Sequence, residues 1–329
     1  MNAITVLRKR KMDTTLEGLI DLFVATKQTE GKSPFTTSWY RRRLRAFVAF
    51  AGPKAALKDL TLANARAFVA HLQARETRYD SHTTHPPCDG GLSVATIHGH
   101  VRALKAFSAW LADENFIPSN ALAKLRRPKL PETLIEVLSE EEIERIFSSL
   151  NQNSAVGART YTMCWLLLDT GIRASELCSL TVENTNLEHN YIKVVGKGNK
   201  ERRVNFGMNT RKVLLKYLTF WRPQTDEKTL FLSNEGTSLT YSGLAQMIGR
   251  VARRTGIERL HCHLFRHTFA VKFLVSGGDL MTLKTLLGHT EISVTQRYLK
   301  LTQQNVAEVY SRHSPMDQMQ FKKRPKVAA

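Results

Sequence analysis

The sequence predicts a mainly α protein with a small antiparallel β-sheet, an α+β chain built as two lobes. Three observations predict it. Apolar residues recur at helical spacing in four stretches between residues 14 and 118. Two strand-like runs, Tyr191–Val195 and Arg202–Phe206, flank a Gly-Lys-Gly-Asn turn in the manner of a β-hairpin. A segment with three prolines and a basic cluster (PSNALAKLRRPKLPETL) separates the two regions. The expected boundaries are a helical lobe over 14–118, a linker over 119–133, a second lobe over 134–314 and a basic, mobile tail over 315–329.

The first helix is expected over 14–27, where Leu16, Leu19, Ile20, Phe23 and Val24 share a face. The second, SWYRRRLRAFVAFAG, turns Trp39, Leu44, Phe47 and Phe50 inward and Arg41, Arg42, Arg43 and Arg45 largely outward. TLANARAFVAHLQARE gives a third helix and SVATIHGHVRALKAFSAWLADENF a fourth. Between these two, 76–91 reads as a plain loop with Pro-Pro and Gly-Gly. Its His82, His85 and Cys88 lack a fourth ligand at finger-like spacing, so no zinc is expected there. After the linker, Ser139 with Glu142 forms a capping-box pattern ahead of a helix. A buried helix covers 159–169, the turn Asp169-Thr-Gly-Ile-Arg173 follows, and ASELCSL opens another helix. Thr229–Leu232 is a candidate third strand, Thr240 caps a basic helix, and 303–313 is expected to be helical.

Composition narrows the function. The chain has 329 residues and carries 48 Lys+Arg against 29 Asp+Glu, a formal net charge of +19. An excess of this size favours a polyanionic partner with salt-dependent binding. The four cysteines form no CxxC pair, which fits a reducing cytoplasm rather than a disulfide framework. The opening residues contain no apolar run suited to a signal peptide, and no stretch approaches a membrane span. The first helical pattern starts near residue 14, so no additional N-terminal domain is expected ahead of it.

The chemistry concentrates in 261–301, HCHLFRHTFAVKFLVSGGDLMTLKTLLGHTEISVTQRYLKL. His263 and Arg266, three residues apart, share a helical face. His289 lies in a Leu-Gly-His-Thr turn, and Tyr298 follows on what reads as a short helix. Arginine grips phosphate oxygens in pairs, histidine moves protons near neutral pH, and a tyrosine oxygen can act as nucleophile. Preorganised cations such as Arg173 and Arg266 suit the charge that develops when a phosphodiester is attacked. His261, His263, His267 and His289 offer a zinc site only on paper, because the carboxylates usual in metal nucleases are sparse here. GKGNK does not fit the phosphate loop GxxxxGK[ST]. Neither a metal nor another cofactor is expected.

Taken in order, TGIRASEL, GKGNKER, HLFRH, LLGH and the tyrosine of QRYL resemble the tyrosine recombinase (phage integrase) family across roughly 130–315. The helical first lobe resembles that family's core-binding domain, and the resemblance implies two lobes that clamp duplex DNA. It implies Tyr298 as the nucleophile that forms a 3′-phosphotyrosyl bond, with Arg173 and Arg266 clamping the phosphate. It places a general-acid lysine in the hairpin, here Lys197, with Lys200 as its rival. His263 is expected to handle a proton near the tyrosine or to donate to the phosphate, His289 to donate to the phosphate, and Glu176 to orient Arg173 or His263. His267 is expected to pack or hydrogen-bond without a catalytic role.

The function so implied is metal-independent, site-specific DNA recombination, with integration or excision of a mobile element ahead of chromosome or plasmid dimer resolution. A type IB topoisomerase and a non-catalytic site-specific DNA-binding protein are the other readings. Expected partners are double-stranded DNA, a homotetramer on paired sites, and accessory or directionality proteins, with no membrane. Arg42, Arg102, Lys105, Arg250 and Arg253 are candidate DNA contacts. The 303–313 helix, with Val306, Val309 and Tyr310 at helical spacing, is expected to dock on a neighbouring protomer.

Overall fold

The structure is a computed structural model that describes residues 15–78, 88–131, 135–196, 201–299 and 314. The chain divides into two compact units, Met1–Thr133 and Leu134–Ala329.

The first unit is built on four helices: α1 (Leu16–Thr29), α2 (Pro34–Ala51), α3 (Leu62–Ala74) and α4 (Val94–Asp113). Each starts at a hydroxyl residue, Thr15, Ser33, Thr61 or Ser93, whose side chain accepts a backbone N–H of the first turn. Pro34 then opens α2, where its missing N–H has no partner to lose. The apolar stripes meet around Phe23, whose ring lies edge-on to Tyr40, Phe107 and Trp110. Phe50, expected inside, is 38% exposed. It sits at the end of α2, where it leans on Phe68 and His71 instead of entering the core.

The 76–91 stretch is not wholly irregular. Its ends pair as a short antiparallel ladder of β1 (Thr77–Arg78) and β2 (Cys88–Asp89). His82 and His85 lie outside the described residues, and no cluster able to hold a metal occurs among those described. Part of the expected linker packs inward: Leu122 and Leu125 belong to the first unit's core.

The second unit contains α5 (Glu140–Ser148), α6 (Ala155–Thr170), α7 (Ala174–Ser179), α8 (Met208–Phe220), α9 (Tyr241–Thr255), α10 (Cys262–Val275), α11 (Leu280–Leu287) and α12 (Ile292–Gln296). Its sheet runs in the order β3 (Thr185–Asn186), β4 (Tyr191–Val195), β5 (Glu201–Asn205), all antiparallel. β4 and β5 pair from Tyr191 opposite Asn205 to Val195 opposite Glu201, which sets Ile192, Val194 and Val204 into the core. The third strand is Thr185–Asn186, not Thr229–Leu232 as expected. Thr229 and Leu232 make only isolated bridges, to Thr181 and Ser238. The apolar character of this run reflects burial of Leu230 and Phe231 rather than a ladder. Helix α8 has no counterpart in the expected elements; it starts at Gly207, which supplies no capping side chain.

α6 packs against both α8 and α10. It ends at Gly171, whose left-handed backbone (φ 60°) turns the chain toward Arg173. A Cβ at this glycine would run into the ring of Phe269. No helix among the described residues is long and apolar enough to cross a membrane.

Candidate active site

A cleft of about 590 Å³ opens in the second unit. Arg173, Arg202, His263, Arg266, His267, His289 and Tyr298 are among the residues that line it. Their elements differ: Arg173 caps α7, Arg202 lies on β5, and the three residues of the HLFRH block lie on α10. His289 and Tyr298 flank α12, and Tyr298 sits two residues beyond the end of that helix.

The arginines are anchored at the C-terminal end of α11. Three successive carbonyls there each accept from a different guanidinium. Arg202 Nε donates to Leu286 O at 3.0 Å, Arg266 Nη2 to Leu287 O at 2.7 Å, and Arg173 Nη2 to Gly288 O at 2.9 Å. A helix C-terminus carries partial negative charge, so it offsets the mutual repulsion of three cations. Arg266 also donates to Gly171 O at 2.6 Å and is 4% exposed. Burial, with Arg173 beside it, lowers Arg266 to about 10, which leaves it charged at neutral pH.

Glu176 completes the frame. It is 2% exposed and accepts four hydrogen bonds. Arg202 approaches it with both terminal nitrogens, at 2.6 and 2.9 Å. Arg173 gives its Nη1 at 2.9 Å and its backbone N–H at 2.8 Å. Burial alone would raise this carboxyl; the bonds from Arg202 and Arg173 outweigh it and hold the group below its ordinary value. Glu176 hydrogen-bonds Arg173, but its main side-chain partner is Arg202, which reaches it with two guanidinium nitrogens. Arg202 was not among the expected site residues. Its signal was the period of β5, which puts residue 202 on the same face as buried Val204, where an arginine must find an anion.

The protonation of His289 follows from its neighbours. Arg266 Nη2 lies 2.9 Å from His289 Nε2, and a guanidinium can only donate, so Nε2 carries the lone pair. The ring proton then sits on Nδ1, which donates to Thr295 Oγ1 at 2.9 Å. Burial and the arginines Arg266, Arg173 and Arg202 push His289 down to about 4.

Tyr298 is 3% exposed and packs with Ala270, Leu283 and Leu287. Burial raises its hydroxyl above the usual value despite the pull of Arg266. That hydroxyl lies 2.9 Å from Nδ1 of His267, the residue expected only to pack or bond. His263 stacks on His267 with ring centroids 6.3 Å apart and lines the cleft. Burial and Arg266 hold His263 below its ordinary value.

Other expected residues fall elsewhere. Lys197 and Lys200 lie outside the described residues, as do 303–313 and the tail. Arg42, Arg102, Arg250 and Arg253 are exposed. Lys105 instead braces the chain that follows α4, where its ammonium donates to the carbonyls of Leu122, Ala123 and Leu125 at 3.2, 2.7 and 2.8 Å. Arg102 lies over the ring of Trp39 at 4.5 Å.

Residues 136–305 match the Phage integrase family. Over 92% of its length the chain is 28% identical to tyrosine recombinase XerD of Listeria monocytogenes, covering 99% of that protein. It is 30% identical to tyrosine recombinase XerC of Oceanobacillus iheyensis, over 91% of this chain and 97% of the relative. The fold is similar to that of the Tn1549 transposon integrase in complex with a circular intermediate DNA. That match has a TM-score of 0.67 and 20% identity, over 87% of this chain and 94% of that one. The family match spans more than half of the chain, and the relatives align along nearly all of it: the chain belongs to the phage integrase family, the site-specific tyrosine recombinases.

Proposed function

We propose that this recombinase binds double-stranded DNA and joins or excises a mobile element, with Tyr298 as its nucleophile. The observation that carries the catalytic assignment is the cleft itself, where Arg173, Arg266, His289 and Tyr298 from four chain segments line one space. Arg173 and Arg266 take the two non-bridging oxygens of the attacked phosphate. Their positions are fixed before substrate arrives, so little reorganisation is needed as charge builds. Glu176 and Arg202 keep Arg173 in place. His289 donates to the phosphate once a proton is on Nε2, and the lysine of the β4–β5 hairpin, Lys197, protonates the leaving 5′ oxygen. The 3′-phosphotyrosyl bond stores the energy of the cut, so a second strand's 5′-hydroxyl reverses the step without a cofactor. The chain works in the cytoplasm as four protomers on two sites, assisted by accessory or directionality proteins.

A second reading is chromosome or plasmid dimer resolution. The near full-length relatives named XerD and XerC favour it.

Covalent trapping tests the catalytic assignment. Wild-type protein, mixed in EDTA with nicked duplexes from the DNA flanking its gene, should give an SDS-resistant protein–DNA band, and Tyr298→Phe should give none. A band that persists in the variant means another nucleophile. The location of the trapped site separates the two readings. Element ends support the mobile-element role; a single replicon site at which dimers become monomers supports resolution.

A further inference from the structure

We propose that His267, rather than His263, takes the proton from the Tyr298 hydroxyl as that oxygen attacks the DNA phosphorus. This rests on Tyr298 being the nucleophile. Among the described residues, His267 Nδ1 is the atom hydrogen-bonded to the Tyr298 hydroxyl, at 2.9 Å. That distance is what proton transfer requires. Both groups line the same cleft as the arginines. Among the described residues no hydrogen bond joins His263 to either of them; its ring stacks on that of His267.

Two features suit His267 to the role. Burial holds it down at about 4, with His263, His261, Arg266 and Arg297 adding repulsion. The ring is therefore neutral at physiological pH and has a lone pair to offer. An incoming phosphate brings negative charge beside these cations, which raises the ring's proton affinity at the moment of attack. Tyr298, raised by burial, does not ionise unaided near neutral pH and needs an acceptor.

The step balances. The Tyr298 Oη–H bond breaks and its proton moves to His267 Nδ1, with the resting ring proton on Nε2. The Oη–P bond forms and the bond from phosphorus to the 5′ oxygen breaks. The departing oxygen takes its proton separately, from the hairpin lysine or from water. In rejoining, a 5′-hydroxyl gives its proton to the hairpin lysine or to water as its oxygen bonds phosphorus, the Oη–P bond breaks, and His267 returns its proton to the Tyr298 oxygen.

The test is single-turnover cleavage of nicked duplexes from about pH 6 to about pH 9, with oxygen or sulfur bridging phosphorus to the leaving 5′ carbon. His267→Gln and His267→Asn are compared with wild type, with DNA binding measured in parallel as a check on folding. Asparagine keeps a polar atom near the place of Nδ1 but takes up no proton; should His267→Gln fail to fold, His267→Asn carries the test. Both variants should bind DNA normally and cleave roughly 10²–10³-fold more slowly at neutral pH. Their rates should climb about tenfold per pH unit where wild type is flat, because the tyrosine must now ionise by itself. Sulfur should not rescue them, since the leaving group is not what they lack. A fluorinated tyrosine at position 298, which ionises more readily, should recover part of the loss. Wild-type rate and profile in His267→Asn would reduce His267 to a holding contact and overturn the proposal, and so would rescue by sulfur. A covalent band in Tyr298→Phe would instead remove the nucleophile assignment, a separate failure.

Discussion

The cleft arginines of the second unit and the α2 arginines of the first are held in different ways. In the second unit Arg173, Arg202 and Arg266 are tied to backbone carbonyls and, for two of them, to Glu176. In the first unit the arginines of α2 lie on a helix surface. Arg41 and Arg45 pair with Asp21 and Glu17 of α1, at 3.1 and 2.5 Å. Arg43 donates to Thr96 O at 3.3 Å and lies near the Trp39 ring. Arg42 remains exposed. In the proposed mechanism the difference separates two jobs. A fixed guanidinium can stabilise charge that appears only in a transition state. A mobile one on the surface contributes attraction to a polyanion that salt weakens.

The sharpest way to break this comparison is Arg266→Lys. Lysine keeps the charge but cannot reach Gly171 O, Leu287 O and a phosphate together, because it has one nitrogen where arginine has three. The cleavage rate should fall roughly 10²–10³-fold while DNA affinity changes little. Single-turnover trapping alongside a binding titration checks it. Equal losses in rate and affinity would mean that the buried arginine acts through binding, like a surface one.

Acid should also act unequally on the two units. His267 and His289 in the cleft and His100 in the first unit are all pushed down to about 4, burial being the first cause in each. Unfolded, these rings bind protons near pH ~6.5; folded, they resist until far lower. The unfolded state thus holds more protons in that window. Stability is full above about pH 6.5 and declines as pH falls toward 4. Among the described residues two such rings lie in the second unit and one in the first, so the second should lose more. Hydrogen exchange corrected for intrinsic rates, compared between α10 and α4 at neutral pH and near pH ~5, measures this. A larger loss in α4 would place the main acid-sensitive group in the helical lobe.

What the sequence reveals about each region follows the same division. Apolar stripes made the four helices of the first unit readable, because that signal is local. The motif blocks gathered Arg173, Arg266, His289 and Tyr298 without any knowledge of the fold between them. Partnerships were not readable. Arg202 stood inside a quoted block, but its bond to Glu176 spans 26 residues of sequence. His267 stood beside Arg266, but its contact with Tyr298 depends on how α11 and α12 return the chain to α10. β3 has two residues, too few to show a period, whereas the buried Thr229–Leu232 run imitated a strand. Helix α8 starts without a capping side chain, so its first turn gave no signal.

The smallest effect should come from Arg42→Ala on the exposed face of α2. In the proposed mechanism no catalytic step uses this residue, so the cleavage rate at saturating DNA should stay within a factor of about two. Affinity should drop modestly, and the slope of log affinity against log salt should shallow by about one phosphate's worth. Arg102→Ala is the informative companion, because Arg102 already stacks on Trp39 at 4.5 Å. That contact fixes where its charge sits, so Arg102 is intermediate between a free surface arginine and an anchored one. If its removal lowers affinity more than Arg42→Ala for the same change in salt slope, then anchoring strengthens a binding contact just as it does a catalytic one. If the two variants match in both measures, anchoring matters only where charge develops during the reaction, and the contrast between the two units holds in its strict form.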